Sequence, residues 1–195
     1  MPIPEVFCWT RFGTEAGQTI DAILTRKEKE RLANGGMFLW GIGNAIGPSL
    51  AELLRRESAP EALFSPIKSQ PKPEDVSPPA VAAWTKAETL DGDVFQIPDH
   101  SLVLSRYATA GAKRAHYALV CHSSEPLKIA KSGDELVLEE LRNLLTGRPI
   151  GASQVTAVVT RQKPTLGQSR KYPVALRAQL VYPYFLRLVD PSLAC

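Results

Sequence analysis

Between Met37 and Gly47 the chain runs from an aromatic, strand-forming segment, Met37-Phe38-Leu39-Trp40, into a turn with glycine at positions 41, 43 and 47, and Pro48 then opens a helix. No other passage constrains the fold as much, because strand, turn and helix must follow one another with almost no connecting residues. Glycines without a Cβ let a flat or anionic group come close to the backbone, and a proline at the first helical position leaves the amide donors before it free. Leu50, Leu53 and Leu54 supply the apolar stripe that lets the helix bury one side.

The chain has 195 residues, 44% of them apolar, which suffices for a continuous core and a single domain over residues 1–195. There is no apolar run near ~20 residues. The segment Met1-Pro2-Ile3-Pro4-Glu5 has no basic region, so a cytoplasmic protein without a membrane span or secretory signal is expected. Cys8, Cys121 and Cys195 are odd in number and widely spaced, which suits reduced thiols. A net charge of +3 permits nucleic-acid binding without arguing for it.

Val6 to Phe12 reads as a strand with Phe7, Trp9 and Arg11 on one face and Cys8, Thr10 and Phe12 on the other, and Phe7 and Phe12 are expected in the core. From Gln18 to Asn34 the pattern is helical, with Ile20, Ile23, Leu24 and Leu32 expected inward and the run Arg26 to Arg31 outward, until Gly35-Gly36 stop it. Leu63 to Ser69 reads as a strand that Pro66 confines to an edge or a bulge. Residues 70–79, with four prolines, form a loop. Val81 to Leu90 and Val94 to Ile97 flank Asp91-Gly92-Asp93, a hairpin signal. Ser101 to Tyr107 and His116 to Cys121 add strands around Ala110-Gly111-Ala112. Leucines at 138, 141, 144 and 145 predict a third helix over 134–145, closed by Gly147. Gln154 to Thr160 and Val174 to Leu188 are further strands, separated by the basic loop Arg161 to Lys171. Many strands, about three helices and no βαβ repeat indicate an α+β domain on a strongly curved sheet or barrel.

Catalytic signatures are weak throughout. The glycine turn lies between strand and helix as a dinucleotide-binding fingerprint requires, but Gly41-x-Gly43-x-x-x-Gly47 is one residue too long. Ser65-Pro66-Ile67-Lys68 spells the serine-acylase S-x-x-K, yet that motif needs a helix where this segment reads as strand. His100, His116 and His122 share no i,i+4 helix face, and the acidic or thiolate set needed to complete a metal site is not evident. No cofactor and no metal are expected, and no catalytic residue is assigned.

Trp40-Gly41-Ile42-Gly43-Asn44, the short helix after it, and Leu63-Phe64-Ser65-Pro66-Ile67-Lys68-Ser69 resemble the core of the EVE domain, a member of the PUA-like superfamily with YTH and ASCH domains. The resemblance covers about residues 5 to 70, with Gly43 where the family usually has arginine. It implies a PUA-like curved β-barrel flanked by helices, with a pocket that receives one flipped and often modified base.

On that basis Trp9, Phe38, Trp40 and Trp84 are candidate stacking surfaces, and Gly41 admits the base to the backbone. Arg11, Asn44, Ser65 and Lys68 are candidate hydrogen-bonding partners for its edge. Candidate phosphate contacts are Arg106, Lys113 and Arg114 in one loop and Arg161, Lys163, Arg170 and Lys171 in another. The expected function is a module that reads a modified base in nucleic acid, DNA in preference to RNA, without chemistry of its own. The alternatives are an enzyme acting on a nucleotide or nucleic acid with the same pocket, and a protein-interaction domain.

Overall fold

Strand-forming runs dominate the chain, and they assemble into a large mixed sheet and a separate two-stranded ladder in an α+β arrangement. The structure, a computed structural model, describes residues 2–13, 19–67, 82–98, 116–129, 133–163 and 169–193. In chain order the elements are β1 (Val6–Phe12), α1 (Ile20–Ala33), β2 (Met37–Ile42), α2 (Gly47–Arg56), β3 (Glu61–Pro66), β4 (Ala82–Thr89) and β5 (Val94–Gln96). There follow β6 (His116–His122), β7 (Glu135–Val137), β8 (Leu141–Asn143), β9 (Thr156–Arg161), β10 (Lys171–Pro173) and β11 (Leu176–Leu193). Two compact units share the chain: Met1–Phe12, Ile46–Ile67 and Lys128–Gln179 form the first, and Gly13–Ala45, Lys68–Leu127 and Leu180–Cys195 the second. Among the described residues no helix is long and apolar enough to cross a membrane.

In the first unit β1 is central, parallel to β3 on one side and antiparallel to β9 on the other. The opening residues of β11, Leu176 to Gln179, extend the sheet beyond β3, and β8 extends it beyond β9. Because both faces of β1 are covered, it is apolar on both. Phe7 and Trp9 join Leu63, Leu136, Leu138, Leu141 and Tyr172 in one core cluster. Cys8 and Thr10 take the opposite face, where Thr10 and Thr156 join hydroxyls at 2.8 Å. Helix α2 packs on β1 and β9 and buries Leu50 and Leu53 completely. Burial pushes the Cys8 thiol up to about 12, so it stays protonated; we expect it to resist alkylation in the native protein and react on unfolding, measurable by mass spectrometry.

In the second unit β2 pairs antiparallel with β6, so Phe38, Trp40 and Ile42 share a face with Cys121, Leu119 and Tyr117. The other face carries Leu39, Ala118 and Val120, which pack with Trp84, Ala87, Leu186 and Leu188. The hairpin expected around Asp91-Gly92-Asp93 forms between β4 and β5, with Gly92 at φ 86°. Helix α1 starts at Thr19, whose hydroxyl accepts the Ala22 N–H, and is stopped by Gly35 and Gly36 at φ 61° and 97°. Gly36 takes φ 97°, which side chains rarely adopt, and a Cβ there would stand 2.6 Å from His122 Nε2 and 3.2 Å from the Ser123 carbonyl, so glycine is favoured.

Three expectations from sequence are corrected. The segment 134–145 is no helix: Glu135–Val137 pairs with β10, a 3₁₀ turn spans Leu138–Glu140, and Leu141–Asn143 pairs with β9. Leu136 and Leu138 are buried two residues apart, a strand period that the leucines at helical spacing disguised. Gly147 closes a turn instead, with its N–H on the Asn143 carbonyl and the Asn143 side chain accepting from Leu145 and Thr146. Leu32 is 66% exposed, whereas Lys27, Glu30 and Arg31 of the supposedly outward run are buried. They continue the face that begins with Ile20, Ile23 and Leu24. Finally, β3 is interior, not an edge: Pro66 is tolerated because β11 pairs only as far as Phe64, leaving the proline opposite Phe12 at the strand end.

Candidate functional site

The predicted base-contacting residues fall into two groups, one in each unit. In the first unit Trp9, Arg11 and Ser65 come together on adjacent strands, since Trp9 pairs with Leu63 and Arg11 with Ser65 in the parallel ladder. Trp9 is fully buried, its Nε1–H donating to Ser65 Oγ at 3.0 Å, with the Tyr172 ring edge-on at 5.5 Å. Ser65 is buried as well, so the two groups satisfy each other inside the core. Arg11, two residues on, lies with its guanidinium 5.0 Å from the centre of the Tyr172 ring.

In the second unit Phe38 and Trp40 share the face of β2 that points away from the Trp84 cluster. Both are largely buried, Phe38 at 1% and Trp40 at 5% exposure. The strand then emerges: Gly41 and Gly43 are exposed and Asn44 is half-buried. On the same face as Trp40, Tyr117 stacks on Phe185 at 5.3 Å with the rings 15° from parallel. Trp84 lies across the sheet, packed against His116 at 5.2 Å. Alternation along β2 therefore separates Trp84 from Phe38 and Trp40.

The late basic residues of the first unit are engaged by carboxylates. Arg161 reaches Glu140 at 3.2 Å, Arg170 reaches Glu139 at 2.9 Å and Lys171 reaches Glu135 at 2.9 Å. Arg170 binds through both its side chain and its backbone N–H, and this holds the Glu139 carboxyl below its ordinary range. A phosphate at these positions has to compete with a neighbouring acid. Lys163 is exposed. Lys68, Arg106, Lys113 and Arg114, with the expected strand Ser101 to Tyr107 and the proline loop 70–79, lie outside the described residues.

Sequence reading passed over Tyr117, Tyr172, Phe185 and the Tyr182-Pro183-Tyr184 step of β11. Tyr182 is 69% exposed and Tyr184 takes φ 65°, a left-handed conformation that costs a non-glycine residue of order 1–2 kcal/mol. The only local sign was a proline between tyrosines inside an otherwise continuous strand pattern. The buried Lys27–Glu30 pair in α1 was also missed, since charge alone reads as solvated surface. Among the described residues no cluster of histidine, cysteine and acidic side chains could hold a metal ion. No family model matches the chain, and no curated protein or solved structure shows significant similarity to it.

Proposed function

We propose that the chain is a PUA-like nucleic-acid-binding module that receives a flipped, modified base, carried by DNA in preference to RNA, where β2 runs out into its glycine turn. The observation that carries this reading is the order of residues along one strand: a buried aromatic layer of Phe38 and Trp40, with the half-buried Tyr117 stacked on Phe185 beside it, runs out at once into exposed Gly41 and Gly43 and the half-buried carboxamide of Asn44. A flat ring can approach a backbone that lacks Cβ atoms, and a carboxamide offers one donor and one acceptor to a base edge. Extruding a base costs a few kcal/mol, which stacking worth about 1–3 kcal/mol and a paired edge can offset. The reading assigns no chemistry to the site.

The test is fluorescence anisotropy with oligonucleotides that differ by one modified base, in DNA and RNA form. One modification should bind well above its unmodified counterpart. Asn44→Ala should remove about 1–3 kcal/mol of that preference, measured on protein shown by thermal melting to be folded at the assay temperature. Equal affinity for every oligonucleotide, or unaltered discrimination in the variant, would rule the reading out.

A further inference from the structure

Arg11 poses a problem that its own surroundings do not solve. The guanidinium is held over Tyr172, and Nη1 donates to the Ala152 carbonyl at 2.5 Å. Nε is buried and has no hydrogen-bond partner. Among the described residues no carboxylate pairs with this arginine, whereas Arg161, Arg170 and Arg177 of the same unit each have one. A partly buried cation normally has an acid or a full set of acceptors, because removing it from water is costly. Arg11 has one carbonyl and one aromatic ring.

The geometry of what is left over is specific. With Nη1 committed to Ala152, the edge of the guanidinium left without a partner is the Nε–Nη2 side, two parallel N–H groups spaced to grip two oxygens of one oxyanion. The side chain is already ordered. Its stem leaves β1 next to Ser65, Nη1 donates to the Ala152 carbonyl and the guanidinium carbon lies over the Tyr172 ring, so less rotamer freedom remains to be lost on binding. We propose that this edge is a phosphate-binding site. One phosphate oxygen meets Nη2 and a second takes the place of the acceptor that the buried Nε–H lacks. The site stands on the first unit alone and does not depend on the base-reading proposal. The phosphate can belong to a nucleic-acid backbone or to a free nucleotide, and the experiment separates the two.

The measurement is nuclear magnetic resonance of the arginine Nε–Hε groups in the intact chain, with the Arg11 signal assigned by its absence in Arg11→Lys. Inorganic phosphate should shift the Arg11 signal and slow its exchange with water, while potassium chloride at matched ionic strength leaves it in place. An unmodified single-stranded DNA lacking terminal phosphates presents only backbone diesters, and a 5′-mononucleotide presents a monoester. Whichever moves the signal at the lower concentration identifies the source. Arg11→Lys, which keeps the charge but loses the fork, should weaken the effective probe roughly tenfold or more, since a charge-assisted bidentate contact is lost. An Arg11 signal that phosphate does not move, or that acetate moves as strongly, overturns the assignment. The wild-type titration needs no substitution, so a variant that folds poorly does not blunt it. Phosphate binding at Arg11 without any base preference would leave this site standing and remove the base-reading proposal; base preference with an unmoved Arg11 would do the reverse.

Discussion

Glu30→Ala is expected to destabilise the protein by about 3–5 kcal/mol, because it leaves a buried ammonium without its counter-charge. Lys27 and Glu30 are 3% and 1% exposed, their Nζ and Oε2 atoms 2.6 Å apart. The second carboxylate oxygen accepts the Leu39 N–H at 2.6 Å, so Glu30 also satisfies a backbone donor of β2. Glu30→Gln keeps that acceptor and should cost less than alanine. The double change Lys27→Met with Glu30→Gln should cost less than Glu30→Ala alone, since the buried ammonium is removed together with its counter-charge. Urea unfolding of the three variants checks the ordering, and a Glu30→Ala loss within ordinary surface scatter would show that the pair is not buried in solution.

The same pair carries a pH dependence. Burial lowers the Lys27 ammonium from 10.5 to about 8, with the neighbouring Glu30 opposing the shift. The folded chain therefore holds fewer protons at this site than the unfolded chain between those values, and stability rises with pH across that window. Lys27→Met should abolish the rise.

Trp9→Ala is expected to cost about 3–5 kcal/mol and to leave the first unit close to unfolding. The indole is completely enclosed, and its loss empties the centre of the cluster that joins β1, β3 and the Leu136 to Leu141 segment. Ser65→Ala leaves the indole N–H buried and unpaired, for about 1–3 kcal/mol. Trp40→Ala belongs with these losses on grounds of burial, and it is the contrast with Asn44→Ala that isolates binding from folding. Thermal and chemical melts decide this: a Trp9→Ala variant as stable as the parent would contradict a packed core at that position.

Much of the local structure was legible because it rests on neighbours in sequence. The strand at Val6–Phe12, the step from β2 through a glycine turn into a proline-started helix, and the Asp91-Gly92-Asp93 hairpin each follow from propensity, period and turn chemistry within a dozen residues. Misreadings arose where a local pattern served two structures. Leucines at 138, 141 and 144 fit a helix, but a helix could not have offered backbone groups to both β10 and β9, and pairing with those strands prevailed. The run Arg26 to Arg31 looked solvated because charge usually is; partners on other elements allowed its inward members to be buried. Glu30 meets Leu39 N–H, and Arg31 meets the Ser123 carbonyl.

The candidate site divides in the same way. The chain by itself determined that an aromatic strand ends in glycines and an asparagine, since spacing and residue type alone place them in series. Only the tertiary structure decided which aromatics share a face. Pairing with β6 put Tyr117 beside Trp40 and set Trp84 on the opposite side, a result of the alternation of side chains across a sheet once its register is chosen. Likewise nothing near Arg11 in sequence announces Tyr172 or Ala152, more than a hundred residues away. That arginine's unpartnered edge exists only because segments distant along the chain hold its ring and its carbonyl in place, and contacts of that range are set by how the sheet closes its loops and buries its apolar faces, not by local pattern.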